Sequence, residues 1–188
     1  TAVAGPPTVN PPPAADDRQW ASINPWAKVC GTDQNTDEWL CLVSRELRSD
    51  FGVILATAAI VEKPGGQHTR LLVSVPAAMR LEAGVDVRVD TAEPLKARYV
   101  LCVSWNCYAE LAIDAAFFGA LKSGHTLQLT SVNQWGTPER FELMLAGFAE
   151  AYDGDAMDDD EVAARQEMIE SALGSLILGK ADRFVVEE

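Results

Sequence analysis

Residues 97–113 read ARYVLCVSWNCYAELAI. Runs of apolar and β-favouring residues stand on both sides of a four-residue gap between Cys102 and Cys107. They predict two strands, at about 97–103 and 107–113, that turn back on one another. The other two cysteines, Cys30 and Cys41, are separated by ten residues and belong to apolar runs at 26–30 and 38–48. Zinc-binding pairs usually show shorter spacings with help from histidine. Here the only histidines, His68 and His125, lie far from the cysteines in sequence, among turn residues. A redox C-x-x-C motif is absent too. An even number of cysteines at hairpin-like spacing predicts two local disulfides in an exported chain. Each closure adds roughly 2–4 kcal/mol. Four reduced thiols in a cytosolic protein are the alternative.

Outward from the cysteines the same short-strand pattern continues. Residues 52–63 and 69–76 are apolar runs separated by Pro64-Gly65-Gly66, a strong break. Val85, Val87 and Val89 alternate with Asp86, Arg88 and Asp90, a period of two with one wet face. Leu127 and Leu129 alternate with Gln128 and Thr130, and Phe141, Leu143 and Leu145 with Arg140, Glu142 and Met144. Residues 115–122 (AAFFGALK) predict one short helix stopped at Gly124. Connections this short cannot hold the crossover helices of a parallel sheet. The chain is therefore expected to be all-β, an antiparallel sandwich or barrel.

Both ends differ from this middle. Residues 1–19 carry five prolines, Pro6, Pro7, Pro11, Pro12 and Pro13, among small and polar residues, and predict an extended arm. Near the other end, Asp158, Asp159, Asp160 and Glu161 precede apolar residues at 162, 168, 169, 172, 173, 176 and 177. That spacing makes one stripe on a helix of about twenty residues. The acids suit its positive N-terminus, and Gly179 and Lys180 suit its end. A loop through Asp153-Gly154-Asp155 ties it to the β-domain. The stripe is covered either by its own sandwich or by a partner. Three parts result: an arm at 1–19, a disulfide-bonded domain at 20–152, and an acidic loop and helix at 153–188.

Net charge is −13 over 188 residues. Residues 150–188 hold twelve acids and three bases, so the tail carries most of it. Without Lys and Arg clusters, nucleic acid is not an expected partner. No apolar run reaches the roughly 18–20 residues of a membrane span. The start at Thr1, without methionine or a leader-like segment, suits a mature exported form whose signal peptide has been cleaved.

In this order and spacing the chain resembles the invasion-associated locus B family of exported alphaproteobacterial proteins. The matching features are W-x3-C at Trp26 to Cys30, Cys41, and the strand from Leu72 to Pro76. Further along come L-x-x-G-V-x-V-x-V-D at Leu81 to Asp90 and Tyr99-x2-Cys102-x4-Cys107-x-Ala109. Leu121 to Gly124 and Gly147-Phe148, which is expected to close the last strand, complete the set. The likeness runs from about residue 20 to 152. It implies a periplasmic or envelope location, an immunoglobulin-like β-sandwich, disulfides within each cysteine pair, and no known enzymatic activity. Two departures stand out. The family usually has Gly directly before the last cysteine, where this chain has Asn106, a residue able to take the same left-handed conformation. Trp105 at the loop tip then either packs back on the sandwich, the preferred reading, or anchors an interface, where Trp is enriched. The second departure is the tail helix, which extends past the usual family end.

Catalytic signals are missing. There is no nucleophile elbow, no glycine-rich phosphate loop and no histidine in a catalytic setting. An EF-hand starting at Asp153 fails because position five is Met157 and position six Asp158. No catalytic residue, metal or cofactor is assigned. The expected function is non-enzymatic: an accessory subunit docking on a larger envelope or membrane assembly through arm and helix. The alternatives are a free periplasmic or surface-exposed protein with an invasion-associated role and, remotely, an uncharacterised hydrolase. Beyond the four cysteines, the candidate partner contacts are Trp105, Asn106, Pro11, Pro12, Pro13, Met168, Ile169, Leu173, Leu176 and Ile177.

Overall fold

Among the described residues, the apolar runs and period-two stretches become nine strands. In the computed structural model the described residues are 23–33, 36–49, 51–63 and 70–181, with 175–181 described by backbone alone. The proline arm, the Pro64-Gly65-Gly66 break and His68 lie outside them. The strands are β1 (Ala27–Thr32), β2 (Trp39–Arg48), β3 (Ile54–Glu62), β4 (Arg70–Pro76) and β5 (Val85–Val89), followed by β6 (Leu95–Val103), β7 (Asn106–Ala112), β8 (Thr126–Val132) and β9 (Pro138–Met144). Their order in the sheet is β1-β2-β3-β4-β7-β6-β5-β8-β9, and every pairing is antiparallel.

The sheet folds over on itself at β6. Residues Leu95 to Ala97 pair with β5, while Arg98 to Val103 pair with β7, and a bulge falls between Tyr99 and Leu101. A bulge lets one strand turn a corner and serve two layers. The all-β antiparallel sandwich expected from the sequence is thus built from two halves of one curled sheet. Inward-facing Val43, Leu47, Ala58, Ile60, Leu71, Val73, Val85, Val87, Leu127, Leu129 and Leu143 fill the space between them. Gly84 is required at the entry to β5: its φ is 63°, and a Cβ there would meet the Ala97 carbonyl oxygen at 2.6 Å.

The curl brings β9 beside β2 and β3. At that seam the Met144 carbonyl accepts from both Trp26 Nε1 (2.9 Å) and Arg45 Nη1 (2.7 Å). Across the opposite edge strand, the Met157 N–H donates to the Lys28 carbonyl (2.8 Å).

Helix α1 (Ala115–Ser123) forms where expected; Asp114 caps it by accepting from Phe117 N–H (2.8 Å), and it stops at Gly124. One reading is corrected. Gly147-Phe148 does not close the last strand, which ends at Met144, but opens a short helix, α2 (Phe148–Asp153). Gly147 sits left-handed at φ 82° ahead of it, and Phe148 is fully buried. Its ring lies edge-on to Trp26 at 4.9 Å and near Phe118 and Tyr152. The tail helix α3 (Asp159–Ala181) starts on a reciprocal cap: Glu161 N–H donates to Asp158 Oδ1 (2.8 Å), and Asp158 N–H to Glu161 Oε2 (2.9 Å).

Candidate interaction surfaces

Both cysteine pairs are disulfides, each joining residues directly opposite in neighbouring strands: Cys30 with Cys41 across β1 and β2, Cys102 with Cys107 across β6 and β7. All four thiols are consumed, which removes the reduced-thiol alternative.

The second bridge closes a two-residue turn, Ser104-Trp105. The left-handed residue in it is Ser104 (φ 53°), not Asn106, which already pairs with Val103 as the first residue of β7. A two-residue hairpin with its first turn residue at positive φ suits the strand twist without glycine. Trp105 is 83% exposed, so it stands in solvent and does not pack back on the sandwich.

A second exposed indole, Trp135 (77%), was not among the residues singled out from the sequence. It sits in the β8–β9 turn, where Asn133 Oδ1 accepts from the N–H groups of both Trp135 and Thr137 (3.0 Å each). An Asn-x-x-Gly stretch between two alternating runs is a turn signal that could have located it. The link from Ala77 to Leu81 ties the two tips together. Ala77 N–H donates to Trp105 O (2.7 Å), Gln134 N–H to Ala78 O (2.8 Å), and Arg80 N–H to Val132 O (2.8 Å). Met79 and Asn133 form a β-bridge between them. Beside this end, Leu81, Glu82, Ala83, Gly84, Lys96, Arg98 and Tyr99 line an open cavity of about 440 Å³.

The tail helix is anchored on its own domain along part of its length. Ile169 is buried, and Arg165 donates through Nη2 to Asn24 Oδ1, whose own Nδ2 donates to the Glu46 carbonyl (3.2 Å). Burial pulls the Arg165 pKa down, and the positive charges of Arg45 and Arg48 act the same way, while Glu46 opposes them. Met168, one residue before Ile169, is 51% exposed, and Leu173 is half-buried. The side chains of Leu176 and Ile177 lie outside the described residues, as do Pro11, Pro12 and Pro13.

Among the described residues no three His, Cys, Asp or Glu converge as a metal site would require. Asp90 is held below its ordinary value: slight burial raises it, but backbone N–H groups of Thr126 and His125 more than offset that. Tyr152 is pushed up to about 12 by burial and the nearby Glu62 carboxylate. Both shifts are explained by structural bonds. No described helix is long and apolar enough to cross a membrane.

Comparison with known proteins gives a consistent result. The profile of the family described as Invasion associated locus B (IalB) protein matches residues 26–156, a span that ends before α3. Invasion protein B homologs from two strains of Brucella abortus are each 26% identical over 130 residues, covering 68% of this chain and 73% of theirs. The crystal structure of invasion associated protein B from Bartonella henselae matches with a TM-score of 0.61 at 20% identity. It covers 77% of this chain and 95% of that one, and at such identity the likeness concerns the fold. With the profile spanning most of the chain, from Trp26 to Ala156, this protein belongs to the invasion associated locus B family.

Proposed function

We propose that the chain is a non-enzymatic binding protein of the cell envelope, exported to the periplasm. It docks as an accessory subunit on a larger envelope or membrane assembly, through the 1–19 arm and the C-terminal helix. Two disulfides suit an oxidising compartment, and the family and its relatives are named for invasion and not for a reaction. The observation that carries the docking reading is the state of α3. The helix is fixed to the 20–152 domain by Arg165 and Ile169, yet leaves Met168 half in water. A helix held at one side with an apolar side chain on another is prepared to receive a partner without first being ordered.

The test is a gentle capture of the full chain from envelope extract, repeated with Met168→Glu and with residues 1–19 removed. A discrete partner that the full chain retains and both variants lose supports the subunit reading. Identical recovery from all three defeats it. A free, surface-exposed protein with an invasion-associated role is the second reading, favoured by the family's name. It predicts host-cell attachment by the purified chain with no envelope partner at all.

A further inference from the structure

Trp105 and Trp135, the two most exposed indoles among the described residues, share one end of the molecule. Trp105 reaches Ala77 through one backbone hydrogen bond, and Ala78 reaches Gln134, the neighbour of Trp135, through another. By that path the two backbones lie within roughly 20 Å of one another. Half-exposed Val103 and Leu81 accompany them.

This end is poor in acids. Segments 77–81, 103–106 and 133–137 together hold fourteen residues with no Asp or Glu and one base, Arg80, in a protein with 28 acids. Next to Leu81, the open cavity adds Arg98, and Lys96 paired with Asp86, against Glu82; the other nearby acid, Glu139, accepts from Asn133 Nδ2 (2.9 Å). An acidic protein approaching an anionic lipid surface is repelled least where its carboxylates are fewest and bases stand among them.

Both tips are also stiff. The Cys102–Cys107 bridge closes the turn under Trp105, and Asn133 holds the turn under Trp135. Pre-ordered tips lose little freedom when they bind. Indole carries an apolar body and one N–H donor, which is why Trp collects at membrane–water interfaces. Separate protruding turns fit a soft headgroup layer better than the flat, shape-matched surface of a folded partner.

We propose that this end is a peripheral lipid-binding surface, with Trp105 and Trp135 seated in the headgroup region of a bilayer and Arg80 and Arg98 facing lipid phosphates. The surface shares no residue with the helix and arm proposed to hold a protein, and it stands or falls independently of them. Of the contacts read from the sequence, Trp105 passes from the protein partner to the lipid.

The experiment is flotation of the full, oxidised chain with vesicles of phosphatidylcholine alone and of phosphatidylcholine mixed with phosphatidylglycerol. It is run alongside the double variant Trp105→Ser/Trp135→Ser, with tryptophan emission recorded in parallel. The expected result is flotation of the parent chain with a blue shift, stronger on the anionic vesicles and reduced there by salt. In the double variant partitioning falls at least tenfold, about 1.4 kcal/mol, and the shift is lost. Thermal unfolding of the variant within a degree or two of the parent shows that its fold is intact. The proposal is overturned if the parent stays in the lipid-free fraction with both vesicle types, or if the double variant floats equally well. It is overturned too if the parent forms a dimer that the variant loses while neither binds vesicles, because the occupant is then a second copy.

Discussion

Phe148→Ala should be among the most damaging substitutions in the chain. Phe148 is fully buried under the seam where the curled sheet closes, edge-on to Trp26 at 4.9 Å and within 6.3 Å of the Phe118 ring centroid. Truncating a fully buried Phe costs about 3–5 kcal/mol. Edge-to-face partners add roughly 0.5–1.5 kcal/mol per pair beyond area, which places this site near the top of the range. For a chain of 188 residues, each kcal/mol moves the melting point by about 2–4 °C. The expected fall is then about 8–20 °C. Thermal unfolding followed by far-ultraviolet circular dichroism measures it, and guanidinium unfolding gives the free-energy loss, with an unchanged slope showing that the variant still unfolds in one step. Val53→Ala, at a side chain 61% exposed, is the control and should stay within about 0.5 kcal/mol. A loss below about 1.5 kcal/mol at Phe148 would refute the reasoning, because α2 would then be an appendage and not the plug of the sandwich. Gly147→Ala separates the two contributions of the motif. Nothing stands within 4 Å of its Cβ position, so its cost is only the left-handed backbone at φ 82°, about 1–2 kcal/mol.

The remaining expectations concern the bridges, a turn carboxylate and the helix anchor. Replacing Cys30 and Cys41 by Ala opens a loop with sequence separation 11 and should cost about 3 kcal/mol; the Cys102 and Cys107 pair, with separation 5, should cost about 2. Equal or reversed costs in denaturant unfolding would count against loop length as the governing factor. Asp90 has a lowered folded pKa, so its contribution is present above its unfolded value of about 3.9 and is lost as pH falls through the lower folded one. Asp90→Asn should therefore flatten the acid limb of the stability curve. The effect should be less than about 1 kcal/mol, since the carboxylate is more than a third exposed and screened. A parent and variant that lose stability identically down to pH 3 would contradict it. Arg165→Ala removes the bond to Asn24 and should weaken the seat of α3 by about 1–2 kcal/mol, raising proteolytic cutting in the helix roughly 5–30-fold while the sandwich melts almost unchanged.

Much of the fold was legible because a half-buried strand writes its geometry into alternating residues. Val85, Val87 and Val89 are buried and Asp86 and Arg88 less so, as the period requires. The corner at β6 left no such trace. Its bulge at Tyr99 to Leu101 shifts the face that points inward, so Tyr99, Val100 and Leu101 read as a plain apolar run. Helix α2 was invisible for another reason: six residues are less than two turns, too few to show a helical period. Surface roles were the least legible. Asn106 drew attention through its capacity for positive φ, but the two-residue turn placed that demand on Ser104. Trp135 carries no periodic signal, and only the Ala77 to Leu81 link, formed by backbone bonds, reveals that it neighbours Trp105.

The way the sandwich closes narrows how it can meet anything else. A curled sheet with two ends has two edge strands, and open edges invite another chain to add on. Here β9 starts at Pro138, which has no N–H to offer, and its last residue, Met144, has its carbonyl occupied by Trp26 and Arg45. Along β1, the Lys28 carbonyl is taken by Met157, and Arg165 and Ile169 of α3 settle beside Asn24 and Ala27 around a cavity of about 210 Å³. At these positions the edges are therefore closed from within the molecule. The recognition proposed above uses side chains that the closure leaves outside: Met168 on an anchored helix, and Trp105 and Trp135 on braced turns. The two sets differ in chemistry, one on an acidic tail and the other on turns that themselves hold no Asp or Glu. A single partner would have to satisfy both; a protein at the helix and a lipid surface at the indoles satisfy each separately.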